Sequence, residues 1–261
     1  MPEAAIRIEQ VDKRYVGRGR EVVALDHVSL TIEEGEFVAF VGPSGCGKST
    51  LLNMIAGIIP MTSGEIVHEG RQVASINRRV GYLTQADSVL PWRTVERNIS
   101  LPLEYRGVPS TERQKRVEEM LALVDLRGFG KAFPKELSGG MRKRVALAQM
   151  LAYEPKTLLM DEPFGALDAQ LKLVMQQQLL RIWQEHKKTI VFVTHDLAEA
   201  IALASRVVVF SGRPGRIKYI EQIDIPYPRD VFKVRFLPQF EAAYDNLWRE
   251  LSPEIAKGED L

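Results

Sequence analysis

Cysteine is nearly absent: the 261-residue chain has one, Cys46. A single thiol cannot close an intrachain disulfide, so a disulfide scaffold is excluded and a reducing compartment is expected. An excess of one charge is missing too. Lys and Arg number 35 against 34 Asp and Glu, a formal net charge of +1. The basic footprint of a dedicated nucleic-acid binder is therefore lacking, and no nucleic-acid partner is expected. No apolar run approaches the ~18–20 residues that span a bilayer. The opening MPEAAIRIEQVDKRY has neither the basic nor the apolar region of a signal peptide. Internal repeats and low-complexity stretches are likewise missing. With 45% apolar and 26% charged residues, the composition is that of a globular chain rather than a disordered one. On these grounds the expectation is a soluble cytosolic protein of one large domain or two modest ones.

What is present alternates. IRIEQVDKRY and VVALDHVSLTI carry partial period-2 patterning, while EFVAFV is almost continuously apolar, as in a strand buried on both faces. After it come a helical LLNMIAGI, a hairpin around Gly70 and a strand in RVGYLTQ. A helix-rich segment runs from about Thr94 to Leu126, with Ser110 as the expected N-cap of its second helix. KRVALAQMLA, LDAQLKLVMQQQLLRIWQEH and DLAEAIALAS read as helices between the strands TLLMD, TIVFVT and RVVVFS. In the longest of these helices, Leu167, Leu171, Val174, Met175, Leu179, Ile182 and Trp183 are expected on one face. Strands alternating with helices imply an α/β fold, a mostly parallel sheet flanked by helices. RPGRIKYIEQIDIPYP is expected to form a terminal hairpin. In the tail beyond it, Phe232, Phe236 and Phe240 recur at i, i+4 and i+8, a spacing that predicts one helix packing all three on the body.

Between EFVAFV and its helix stands Gly42-Pro43-Ser44-Gly45-Cys46-Gly47-Lys48-Ser49, which meets G-x-x-x-x-G-K-[ST] in the strand-to-helix context that gives the motif meaning. Glycines let successive backbone N–H groups turn toward phosphate oxygens, and the helix N-terminus adds its partial positive charge. Lys48 is expected to reach the β- and γ-phosphates and Ser49 to offer its hydroxyl oxygen to Mg²⁺. Cys46 fills a free position of the loop. TLLMD ends in Asp161 and Glu162, at the strand end where ligands of α/β sheets sit. The first acid suits a Mg²⁺ held through its water shell, the second a group that polarises attacking water. Ser138-Gly139-Gly140, opening a basic helix, is a second place where free N–H groups and a hydroxyl meet an anion. One nucleotide does not require two such cradles in one subunit, which hints at sharing between subunits.

With these residues in order, the chain resembles the nucleotide-binding subunit of ABC transporters, from about residue 6 to 225. GPSGCGKST, ending in Thr50, resembles the Walker A loop, LLMDEP the Walker B strand and LSGGM the family signature, with Met141 where Gln is most common. The resemblance implies a P-loop NTPase core with an N-terminal antiparallel β subdomain and an inserted α-helical subdomain, binding ATP and Mg²⁺. It implies that Tyr15 stacks on adenine, that Gln85 touches Mg²⁺ and water, and that Glu162 is the catalytic carboxylate. His195 would be the switch histidine on the γ-phosphate, and Asp168 would lie at a dimer seam. Ser138, Gly139 and Gly140 would close on ATP bound by a second copy in a head-to-tail dimer.

The segment from Asp87 to Asn98 is unusually apolar for a loop. Either Trp92 anchors a local core, or Trp92 and Leu90 line a groove for a partner helix. The family resemblance assigns that region to the membrane-spanning permease subunit. LPWRTVERN, LLMDEPFGALDAQ, SGRPGRI and IPYPRD are similar to the nitrate, sulfonate and taurine importer subgroup. Membership implies an ATPase cassette over 1–228, its helical subdomain at about 90–150, and a short helical tail over 229–261. It also implies a peripheral place on the cytoplasmic face of the bacterial inner membrane and an indirect periplasmic or lipid-anchored solute-binding protein. An ATPase of a lipid or export system would share every ATP residue. A soluble ABC ATPase would be expected to carry paired cassettes, a coiled coil or a zinc site, and a small P-loop kinase would leave LSGGM and His195 idle.

Overall fold

The computed structural model describes residues 4–17, 20–85, 88–165 and 167–259. Within them the chain builds two sheets. Strands β1 (Ala4–Gly17), β2 (Arg20–Glu33), β4 (Ser63–His68) and β5 (Arg71–Gln72) form an antiparallel sheet in the order β2-β1-β4-β5. The second sheet has six strands in the order β10-β9-β3-β8-β7-β6. These are β3 (Phe37–Val41), β6 (Val80–Leu83), β7 (Thr157–Asp161), β8 (Thr189–Val193), β9 (Arg206–Phe210) and β10 (Ile217–Gln222). All its pairings are parallel except that of β10 with β9. Every residue of β3, β7 and β8 is buried, which is why their sequences are continuous apolar runs and not alternating ones.

Helix α1 (Lys48–Ile55) follows β3 directly. Helices α2 (Val95–Tyr105), α3 (Ser110–Leu123) and α4 (Gly139–Ala152) lie between β6 and β7 and pack on one another. α5 (Ala169–His186) and α6 (Leu197–Leu203) return the chain to β8 and β9, and α7 (Pro238–Glu259) closes it. One apolar cluster joins α2–α7 to one face of the parallel sheet; a second fills the space between that sheet, α1 and the antiparallel sheet.

Four local expectations fail for definable reasons. Ser110 is the first residue of α3 rather than its cap, because the Arg113 amide donates to the Pro109 carbonyl (3.0 Å) and so starts the helix one residue earlier. The terminal hairpin pairs β9 with β10, so Arg213-Pro214-Gly215 is its turn and not its first strand. On α5, Val174 is exposed, while Gln176 and Leu180 are fully buried beside Met175, Leu179 and Ile182. Gln176 pairs there with the buried Glu199 (3.0 Å), a polar partnership that an apolar count does not register. The three Phe do not share a helix: α7 begins at Pro238, Phe236 is 85% exposed, Phe232 is exposed, and only Phe240 is buried. Pro238 disfavours a helical residue before it, and Leu237 is extended, so α7 starts at Pro238 and no single helix runs from Phe232 to Phe240.

Candidate functional site

The loop between β3 and α1 turns on Gly47, whose φ of +105° suits glycine alone. A Cβ there would lie 2.6 Å from Leu25 Cδ2 and 2.8 Å from the Ala24 carbonyl oxygen. Gly47→Ala is therefore expected to weaken nucleotide binding sharply and to destabilise the fold by about 1–3 kcal/mol, measurable by ligand titration and thermal melting. Lys48 curls back over its own loop. Its Nζ donates to the carbonyls of Gly42 (2.8 Å) and Pro43 (2.9 Å) and lies 3.5 Å from Cys46 Sγ. These partners are neutral, so the buried ammonium suits an anion at the loop.

β7 delivers the acids. Asp161 ends the strand buried, and Ser49 Oγ donates to its Oδ1 at 3.0 Å. Burial pushes the Asp161 carboxyl above the usual range, the Ser49 hydrogen bond opposes this, and the neighbouring Glu162 charge adds to it. Glu162 follows with φ +48°, a left-handed conformation uncommon outside glycine and concentrated at working sites. Its amide donates to the Val193 carbonyl (3.0 Å), and its own carbonyl accepts from Gly165 (3.3 Å). Gln85 Nε2 donates to Glu162 Oε2 (3.3 Å), and His195 Nδ1 lies 3.4 Å from Glu162 Oε1.

Tyr15, Ser44, Gly45, Gly47, Lys48, Ser49, Thr50, Gln85 and Glu162 line one open cleft of about 330 Å³. Tyr15 is half-exposed, with Lys13 Nζ 4.9 Å from its ring centroid. Gly42 and Cys46 are buried in the loop behind this surface, and Pro43 lies beside it. Ser138, Gly139, Gly140 and Asp168 are not among the residues lining the cleft. Ser138 caps α4, accepting from the Met141 amide (3.2 Å), and Asp168 caps α5, accepting from Leu171 (2.9 Å). Both lie exposed at helix N-termini.

Two residues escaped the sequence reasoning. Arg213 also lines the cleft, and its Nε and Nη2 donate to the Gly45 carbonyl at 3.3 and 3.1 Å. Buried Lys143, on the helix that opens with Ser138-Gly139-Gly140, donates to the carbonyls of Thr84 (3.3 Å) and Gln85. It ties α4 to the loop carrying Gln85. The only sequence signal for it was its place on the buried side of α4.

The segment proposed to meet a partner begins at Asp87, which lies outside the described residues. From Leu90 on it is held by fully buried Asn98. The Asn98 side chain accepts from the Leu90 amide (2.8 Å) and donates to the carbonyls of Leu90 (3.1 Å), Arg93 (3.0 Å) and Thr94 (3.0 Å). Trp92 stands 72% exposed on this frame, so the local-core alternative does not hold. Among the described residues, no helix is long and apolar enough to cross a membrane.

The ABC transporter family model matches residues 25–165, from β2 through β7 to just past Glu162. The chain belongs to the ABC transporter family. The taurine import ATP-binding protein of Rhizobium johnstonii is 47% identical over 98% of both chains. An uncharacterized ABC transporter ATP-binding protein of Methanocaldococcus jannaschii is 45% identical over 89% of this chain and 87% of its own length. The aliphatic sulfonates import ATP-binding protein of Bacillus cereus is 42% identical over 86% of this chain and 88% of its own. Among solved structures, a dimeric ATP-binding cassette in a post-hydrolysis state with ADP and Pi matches at TM-score 0.78. It is 33% identical and covers 85% of this chain and all of that one. The two-sheet ABC cassette is thus the fold of this member as well.

Proposed function

We propose that this ABC family member binds and hydrolyses ATP to energise a membrane importer of small anions of the sulfonate, taurine and nitrate kind. The observation that carries this is the convergence of Lys48, Ser49, Gln85, Asp161, Glu162 and His195 at the end of the parallel sheet. The substrate class rests on the sulfonate and taurine import relatives. The solute itself would contact other subunits.

In this reading Tyr15 stacks on the adenine. The backbone of Gly42, Pro43, Ser44, Gly45, Cys46, Gly47, Ser49 and Thr50 faces the phosphates, and Lys48 swings from the loop carbonyls to the β- and γ-phosphates. The Ser49 hydroxyl and the Asp161 carboxylate it meets, with the Gln85 side-chain oxygen, would supply a hard, oxygen-only donor set for Mg²⁺. When bound, Mg²⁺ neutralises phosphate charge as it builds up. Glu162 accepts a proton from water while the water oxygen bonds to the γ-phosphorus and the bond to the β,γ-bridging oxygen breaks, leaving ADP and phosphate. His195, held by Glu162, faces the γ-phosphate. Ser138, Gly139 and Gly140 act on ATP held by a second copy in a head-to-tail pair, with Asp168 at the seam; the dimeric cassette relative supports the pairing of two copies.

The unit that does this is a cassette over 1–228 with a helical subdomain at about 90–150, followed by the tail 229–261, of which residues 260 and 261 lie outside the described residues. Segment 87–98 docks on the membrane-spanning permease at the cytoplasmic face of the inner membrane. A periplasmic or lipid-anchored solute-binding protein delivers the anion to that permease. Reconstituting the chain with its permease and solute-binding protein in vesicles tests this: the expected result is ATP hydrolysis stimulated by taurine, an alkanesulfonate or nitrate. Stimulation by none of these anions would reject the substrate class. Trp92→Ala is expected to weaken assembly with the permease by about 2 kcal/mol, roughly 30-fold, as read by co-purification, with nucleotide affinity unchanged.

A further inference from the structure

The turn between β9 and β10 is built against the phosphate loop. Gly215 exchanges backbone hydrogen bonds with β2, donating to Ala24 (3.0 Å) and accepting from Asp26 (3.1 Å). A Cβ at Gly215 would fall 1.9 Å from the Cys46 carbonyl oxygen, so turn and loop are in backbone contact. Arg213, at the apex, places two donors on the Gly45 carbonyl and borders the same cleft as Tyr15, Lys48 and Ser49. A guanidinium has five N–H donors in a planar fork suited to phosphate, and Nη1 takes no part in the Gly45 contact.

The other side of the turn is gripped by α7. Glu254, 7% exposed, accepts from the Gly212 amide through Oε2 (3.0 Å) and pairs through Oε1 with Lys218 Nζ (3.3 Å). Lys218 also donates to the Glu250 carbonyl (2.6 Å). A continuous line of contacts thus runs from the C-terminal helix through Glu254 and Gly212 to Arg213 and the loop carbonyl of Gly45.

We propose that Arg213 is a further nucleotide-binding residue, donating to a phosphate oxygen, and that the C-terminal helix sets nucleotide affinity by holding Arg213 in place through Glu254. The inference rests on reading the cleft as the nucleotide site. Glu254 is a positioning residue: it reaches the ligand only through the turn.

The test is titration of Mg-ATP and Mg-ADP into the full chain and its variants, each checked for folding by thermal melting. Arg213→Gln is expected to raise both Kd values about 3- to 10-fold, with a smaller rise for Arg213→Lys, which keeps the charge. Glu254→Gln should shift Kd in the same direction. Adding it to Arg213→Gln should change little further, because both act through one contact. If Glu254→Gln does not fold, Lys218→Met probes the same clamp from its exposed edge. Wild-type affinity in Arg213→Gln, with binding lost in Lys48→Ala, overturns the role of Arg213 and leaves the site standing. Wild-type affinity in Lys48→Ala as well overturns the reading of the cleft. Full additivity of the two substitutions overturns the link to α7.

Discussion

Replacing Glu162 with Gln is expected to lower the rate of ATP hydrolysis by about 10²- to 10⁴-fold, the usual contribution of a positioned general base, while ATP binding persists. Gln matches Glu in shape and can still meet Gln85 and His195, which lie 3.3 and 3.4 Å from the native carboxylate. It cannot accept the proton that water must lose. Binding is expected to persist because the phosphate contacts proposed for the site belong to Lys48, Ser49 and the loop. Removing a negative charge beside Asp161 also relieves one of the influences that raise the Asp161 pKa. Phosphate release and equilibrium nucleotide binding, measured on the same preparation, separate the two effects. A variant hydrolysing at the wild-type rate would remove Glu162 from the chemistry.

The second large effect is on stability. Arg229, only 3% exposed, is hydrogen-bonded to the carbonyls of Ile201 (2.8 Å), Ala204 (2.8 Å), Ile223 (3.3 Å) and Ile225 (2.8 Å). The Tyr227 ring lies 4.0 Å from its guanidinium carbon. Burial lowers its pKa and the Tyr227 phenol opposes this, yet arginine stays charged over the accessible pH range. This one side chain joins the end of α6 to the segment that leads into the C-terminal helix. Arg229→Ala leaves several buried carbonyls without a donor and a cavity beneath Tyr227. The expected loss is about 2–4 kcal/mol, seen in chemical denaturation and as a Tm lowered by roughly 5–12 °C in a chain of this size. An unchanged Tm would show that water replaces the guanidinium at no cost.

The central sheet was legible because strands buried on both faces leave continuous apolar runs, as in EFVAFV, TLLMD and TIVFVT. The phosphate loop was legible because Gly47 and Lys48 answer to local backbone geometry and local charge. What escaped was set by partners far along the chain. Arg213 meets Gly45 across 168 residues and Lys143 meets Thr84 across 59, and no periodicity encodes such pairs. The Phe array has the opposite origin: its helical spacing is broken locally, where the extended Leu237 precedes Pro238. Trp92 is a third kind of case. The loop backbone on either side of it is held by Asn98, which bonds to Leu90, Arg93 and Thr94, and residue type alone does not announce that role.

The proposed mechanism requires that ATP be held between two copies of this chain, with Ser138 of one acting on the phosphate held by Lys48 of the other. The mass of Glu162→Gln in solution, by light scattering with and without Mg-ATP, tests it most directly. The expected result is a 29.5 kDa monomer without nucleotide and twice that mass with it. Adding Ser138→Arg is expected to restore the monomer while leaving ATP affinity intact. A Glu162→Gln chain that stays monomeric in saturating ATP, or a Ser138→Arg change that abolishes binding to the monomer, would contradict it.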